Sequence, residues 1–147
     1  MLVLFPTLVE EYHSNHPQFK KSSKKALGLF FLVGGGIALT LWAFSPWIIT
    51  IIFGEQFSPS IAVLEVLSGA IFLFFLNFLL ANILISSGRE SINTWNLVGA
   101  TVANITLNLV LIPQYGAIGA AWSTLFCEAV LIFALGIEVR KCISSNS

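Results

Sequence analysis

Aspartate is absent from these 147 residues, and only 10% of them carry charge. A soluble domain of this length needs far more charge to cover its surface, so that class is excluded. The two cysteines, Cys127 and Cys142, fit neither a disulfide framework nor a zinc site. Cys127 reads as a small buried side chain and Cys142 as an exposed thiol in a cytosolic tail. His13 and His16 lie in a polar stretch without further ligands, which reads as surface histidine and not as a metal site. No basic patch interleaved with aromatics points to nucleic acid. There is no nucleophile–base–acid pattern, no paired-carboxylate face and no phosphate-cradling glycine loop, so neither an enzyme site nor a cofactor is expected. No secretory leader is expected either, because the apolar residues 1–9 lack a basic flank and a small-residue cleavage site.

Hydrophobic length is what the chain has: 56% of its residues are apolar. The seven cations fall in three clusters, Lys20–Lys21–Lys24–Lys25, Arg89, and Arg140–Lys141. Each interval between clusters is long enough for two membrane crossings of about twenty residues. Cations are retained on the cytosolic side of the membrane. The charge map therefore predicts an all-α integral membrane protein, an up-down bundle of four transmembrane helices with both termini cytoplasmic. The predicted spans are 26–53, 59–86, 92–112 and 117–138, within a transmembrane domain over 26–141. Residues 1–25 read as a truncated helix end (1–9) followed by a polar cytosolic linker, and residues 142–147 as a frayed tail.

Local signals refine these spans. Pro46 predicts a bend in the long first span, since proline removes a backbone donor. Gly34, Gly35 and Gly36 offer a smooth patch for a neighbouring helix. Ser58–Pro59 reads as a hydroxyl cap with proline at the first helical position. Ser87–Gly88 reads as a helix stop, and Pro113–Gly116 (PQYG) as a short loop that makes spans three and four antiparallel neighbours. Trp42, Trp47, Tyr115 and Trp122 suit the outer aromatic belt and Trp95 the inner one. The run Gly116, Gly119, Ala120, Ala121 suits close helix packing.

Polar groups at membrane depth are the candidate functional residues. Asn96, Asn104 and Asn108 recur at four-residue steps with Ala100, flanked by Thr101, and are expected on one stripe facing protein or water. Two roles fit the stripe: interhelical hydrogen bonding, or the wall of a hydrophilic cavity. Glu128 lies near the middle of span four, where a carboxyl must be protonated, paired or beside water. A proton-linked role and a structural hydrogen bond both fit it. Asn77 and Asn82 invite the same two roles as the stripe, with interhelical hydrogen bonding favoured, and Glu65 reads as solvated near the outer surface.

The stretch Asn104 to Thr124, NITLNLVLIPQYGAIGAAWST, closely resembles a hallmark of polysaccharide (O-antigen type) flippases: an asparagine-bearing helix, Ile-Pro-x-Tyr-Gly, then Gly-Ala-Ala opening the next helix. Ile52 to Leu67 and the Phe5–Pro6–Leu8 segment are similar to further parts of that family, so the resemblance covers nearly the whole chain. It implies the C-terminal portion of a MATE-like exporter with two helical bundles around a central cavity. Such proteins move undecaprenyl-diphosphate-linked oligosaccharide across the cytoplasmic membrane, usually with H+ or Na+ as the proposed coupling ion. The implied partners are the bilayer, the lipid-linked oligosaccharide and an N-terminal helical bundle. Asn96, Asn104, Asn108 and Glu128 are the candidate cavity-lining groups. No span holds a Lys or Arg for the substrate pyrophosphate, so that role has no residue here. Two other readings compete: a stand-alone homo-oligomeric carrier of small cations with Glu128 as its proton site, and a membrane scaffold or fragment without activity.

Overall fold

A computed structural model of the chain describes residues 16–144, with side chains over 23–142. The apolar stretch 1–9, His13 and the last three residues lie outside the described residues. Four long helices account for nearly everything else: α1 (His16–Ile52), α2 (Ser60–Ser86), α3 (Glu90–Tyr115) and α4 (Ala117–Ser144), with one 3-10 turn at Glu55–Phe57. Each is long and apolar enough to cross a membrane. The described residues thus form an integral membrane protein with four spanning helices.

Helices are dictated twice over. The runs are apolar, and backbone polar groups in hydrocarbon must be satisfied within their own segment. The outward surface is accordingly greasy. Leu32, Leu39, Ile51, Leu109 and Phe133 are each exposed by 65% or more, as befits side chains solvated by lipid. Threonines on the helices bond back to their own helix. Thr40, Thr94, Thr101, Thr106 and Thr124 each donate to the carbonyl four residues earlier. A hydroxyl satisfied in this way faces lipid at little penalty.

In space the helices form a row, α1–α2–α4–α3. α2 packs on α1 and on α4, while α3 packs on α4 and touches α2 only slightly. The core joins Ala26 and Phe30 of α1, Leu79, Ile83 and Leu84 of α2, and Leu131, Leu135 and Val139 of α4. The start of α1 and the ends of α2 and α4 therefore share one end of the bundle. Lys24, Lys25, Arg89, Arg140 and Lys141 gather there, and this is called the basic end below. α3 sits at the edge of the row and contributes no buried residue.

The helix boundaries differ from the sequence-based ones in physically informative ways. α1 begins at His16, so the second half of the expected linker is helical. The helix then runs unbroken through Pro46, 37 residues in all, which is about 55 Å at 1.5 Å per residue. Pro46 leaves the Trp42 carbonyl without its usual donor, and the fully buried Ser45 hydroxyl supplies one at 2.9 Å. The PQYG segment is not a four-residue loop. α3 continues through Pro113 to Tyr115, and the reversal is made by Gly116 alone, at φ 63. A glycine reaches this left-handed region without a Cβ penalty. Ser58 does not cap α2; its hydroxyl donates back to the Glu55 carbonyl. α4 continues to Ser144, so Cys142 is not an exposed tail thiol. It extends the Leu131–Leu135–Val139 stripe and is 2% exposed.

Candidate functional site

Close helix approach frames the site. A Cβ at Gly119 would lie 2.5 Å from the Leu111 carbonyl oxygen, so only glycine lets α3 and α4 meet beside the Gly116 turn. Away from this pinch the two helices leave a cleft of about 230 Å³. Thr101 and Asn104 of α3 line it with Thr124, Cys127 and Glu128 of α4.

Asn104 is bound into its helix neighbour. Its Nδ2 donates to Ser123 Oγ at 3.0 Å, and Asn108 Nδ2 donates to Asn104 Oδ1 at 2.9 Å. Ser123 is fully buried at the α3–α4 contact. The Asn108 Oδ1 atom is buried and accepts no hydrogen bond from a described residue.

Glu128 is held from the other side of α4. Asn77 Nδ2, from α2, donates to Glu128 Oε2 at 2.7 Å and to the Glu128 backbone carbonyl at 2.9 Å. Asn77 is 4% exposed, and its Oδ1 is buried without a described donor. The Glu128 carboxyl thus bridges two environments. One oxygen is tied to α2, and the residue lines the cleft toward α3. Among the described residues no cation pairs with it; the ion pair found there is Lys141–Glu138. No group of three or more potential metal ligands occurs among the described residues.

The four expected site residues are only partly brought together. Asn104 and Glu128 share the cleft. Asn96 lines a neighbouring recess of about 260 Å³ with Trp95 and Phe126, and its amide bonds to its own helix at the Ile92 carbonyl. Asn108 lines neither recess and serves Asn104 instead. The stripe expected at four-residue spacing is split because four residues overshoot a 3.6-residue turn by about 40° per step, so Asn96 and Asn108 point about 120° apart. Thr101 does line the cleft, though its hydroxyl is spent on the Leu97 carbonyl.

The site holds two residues beyond the four expected ones, Ser123 and Asn77. Ser123 resembles any small packing residue, and its only signal was its place just after the small-residue run Gly116–Ala121. Asn77 was read as structural, and its bond across to α4 agrees with that. What the sequence could not reveal is that the group it holds is Glu128. Asn82 bonds only to its own helix, at the Phe78 carbonyl. Glu65 is not simply solvated: it is half-buried, and the Ser45 hydroxyl lies 3.3 Å from its Oε1, linking α1 to α2.

Fold and site together define a multi-pass membrane protein with a polar cleft inside the membrane-spanning region. The chain is similar to "Uncharacterized membrane protein MJ1068" of Methanocaldococcus jannaschii, with 33% identity over 126 residues, 84% of this chain. The matched region spans 25% of that protein, so the chain corresponds to about a quarter of its relative's length. No family model matches the chain, and no solved structure matches it.

Proposed function

We propose that this chain forms the C-terminal portion of a flippase that carries undecaprenyl-diphosphate-linked oligosaccharide across the cytoplasmic membrane. The observation that carries this reading is the α3–α4 cleft, where Asn104 and Glu128 meet at membrane depth. A sugar head group leaving water needs replacement hydrogen bonds, and amide and carboxyl groups provide them. The resemblance of Asn104 to Thr124 to the polysaccharide flippases supports the same reading. So does the greater length of the membrane protein it matches, which leaves room for a second bundle.

In this mechanism the cleft is part of one wall of a central cavity. The edge helix α3, with no buried residue of its own, turns toward the N-terminal bundle. Rocking of one bundle against the other opens the cavity to each side in turn, while the lipid tail stays in the bilayer. Glu128 is the group through which H+ or Na+ couples to the cycle, and Asn77 fixes its orientation. The basic end faces the cytoplasm, in keeping with the preference of cations for that side.

The test is complementation of a strain lacking its O-antigen flippase. This chain is expressed alone and together with the N-terminal bundle of a related flippase, and surface polysaccharide is read on gels. The pair is expected to restore polysaccharide, and Glu128→Gln in the pair to lower it without lowering membrane abundance. Failure of every combination, with the chain present in the membrane, overturns the flippase reading. Full activity of the Glu128→Gln pair removes Glu128 from the mechanism.

A further inference from the structure

A separate recess, of about 410 Å³, lies between α1, α2 and α4. Leu27 of α1 and Leu76 and Leu80 of α2 form one side, and Phe133 and Ile137 of α4 the other. Its volume is that of a ligand site, and its walls are almost wholly apolar. Gly136 lines the recess without a side chain. A Cβ there would meet nothing within 4 Å, so the space in front of it is open.

One polar group lines the recess. Arg140 stands at the end nearest the bundle terminus, two turns beyond Ile132 and Phe133. From Ile132 to Arg140 the recess follows α4 for about 12 Å, close to half the roughly 30 Å hydrocarbon thickness. The Arg140 guanidinium makes no hydrogen bond or ion pair with another described residue, whereas its neighbour Lys141 is 2.6 Å from Glu138. Lys24 and Lys25 are exposed at the same end, just before Leu27. Among the described residues the acidic groups of this end are Glu90 and Glu138, and Lys141 occupies the second.

We infer that this recess binds one anionic phospholipid from the leaflet at the basic end. An acyl chain lies against Leu27, Leu80 and Phe133 in the space left by Gly136, and the phosphate takes the Arg140 guanidinium. Charge complementarity commits the site to this occupant. An apolar trench one leaflet deep, ending among lysines in a guanidinium that no described residue pairs, matches a chain joined to a phosphate. A purely apolar helix would leave the guanidinium unanswered, and a zwitterionic head group answers it only in part. Arginine suits the role because its planar fork takes two phosphate oxygens at once. The inference stands on the α1–α2–α4 recess and does not require the oligosaccharide reading of the α3–α4 cleft.

The full chain, purified in detergent, is titrated with dioleoylphosphatidylglycerol, dioleoylphosphatidylcholine or undecaprenyl phosphate, and bound lipid is counted by native mass spectrometry. Phosphatidylglycerol is expected to be retained about tenfold better than phosphatidylcholine. Arg140→Gln is expected to lower phosphatidylglycerol retention roughly fivefold, the worth of one basic side chain at an anionic surface, and to leave phosphatidylcholine unchanged. Gly136→Leu fills the trench and is expected to lower retention of both, while Gly136→Ala leaves most of the space and serves as its control. Circular dichroism checks that each variant keeps its helices; if Gly136→Leu loses them, the exposed Arg140→Gln change decides. Equal retention of the two phospholipids, or wild-type retention by Arg140→Gln, overturns the inference. So does a preference for undecaprenyl phosphate over phosphatidylglycerol, which would make the trench a site for the prenyl carrier.

Discussion

Replacing Asn77 by Leu should damage this protein more when Glu128 is present than when its carboxyl is gone. Asn77 Nδ2 makes two contacts with residue 128, 2.7 Å to the carboxyl and 2.9 Å to the backbone carbonyl. Leucine has similar bulk, so the change removes hydrogen bonds and leaves little cavity. Losing the carboxyl contact leaves a half-buried carboxyl oxygen without its donor, about 1–3 kcal/mol. Losing the backbone contact adds about 0.5–1 kcal/mol, in line with polar contacts between membrane helices. Removing Asn77 Oδ1, which is buried and unanswered, returns part of this. The expected net loss is about 2 kcal/mol. In a Glu128→Leu background only the backbone contact remains to be lost, and the same substitution should cost under about 1 kcal/mol. The double-mutant cycle therefore predicts a coupling of about 1 kcal/mol. It is measured by reversible SDS unfolding of the full chain in mixed micelles, followed by circular dichroism. Additivity within about 0.3 kcal/mol would show that Asn77 does not hold Glu128, and the orientation argument for the site would fail.

Gly119→Val places a Cβ 2.5 Å from the Leu111 backbone oxygen, so the same unfolding assay should register a loss of about 1–3 kcal/mol. Gly36→Ala meets nothing within 4 Å and should be neutral or gain up to about 1 kcal/mol from helix propensity. Ser45→Ala should lose about 1 kcal/mol, and less in a Pro46→Ala background, where the restored amide serves the Trp42 carbonyl; equal losses in the two backgrounds would refute that role for the hydroxyl. For the proposed orientation, Gln114→Cys should react with an impermeant maleimide on intact cells and Ser91→Cys only after permeabilisation. Cys127 and Cys142 are buried and contribute little background.

Four helices were legible because two independent signals coincide. Apolar runs set the lengths, and the cation clusters Lys20–Lys25, Arg89 and Arg140–Lys141 divide them. The structure adds the row order α1–α2–α4–α3, which no local signal encodes. It depends on which small residues meet: Gly34, whose Cβ would lie 2.8 Å from Phe75 Cβ, joins α1 to α2, and Gly119 joins α3 to α4. Gly36 belongs to the same glycine run yet faces open space. A run of glycines thus announces that some helix comes close, but not which glycine it meets. Pro113 misled for a related reason, and Pro46 shows how a helix runs on through a proline. Proline removes one backbone bond, and a helix tolerates the loss where another donor arrives, as Ser45 does for Trp42, or near its last turn.

The site was legible as a list of residues and not as an arrangement. Polar side chains at membrane depth must be satisfied, so Asn104 and Glu128 were visible from their positions within the apolar runs. Their partners were not, because Asn77 lies 51 residues from Glu128 and Ser123 lies 19 from Asn104. Once the pairs are formed, the hydrogen-bond inventory separates two kinds of polar group. The threonines close on their own backbone and ask nothing of their surroundings. Asn77 Oδ1 and Asn108 Oδ1 stay buried with no donor among the described residues, and both residues bond directly to the groups lining the α3–α4 cleft, Glu128 and Asn104. Such acceptors are expensive in hydrocarbon unless water or another polar group reaches them. Asn77 reaches α4 from the α2 side and Asn108 stands on α3 behind Asn104, so the unmet acceptors flank the residues of the cleft from both sides, where the polar demand of the bundle is greatest.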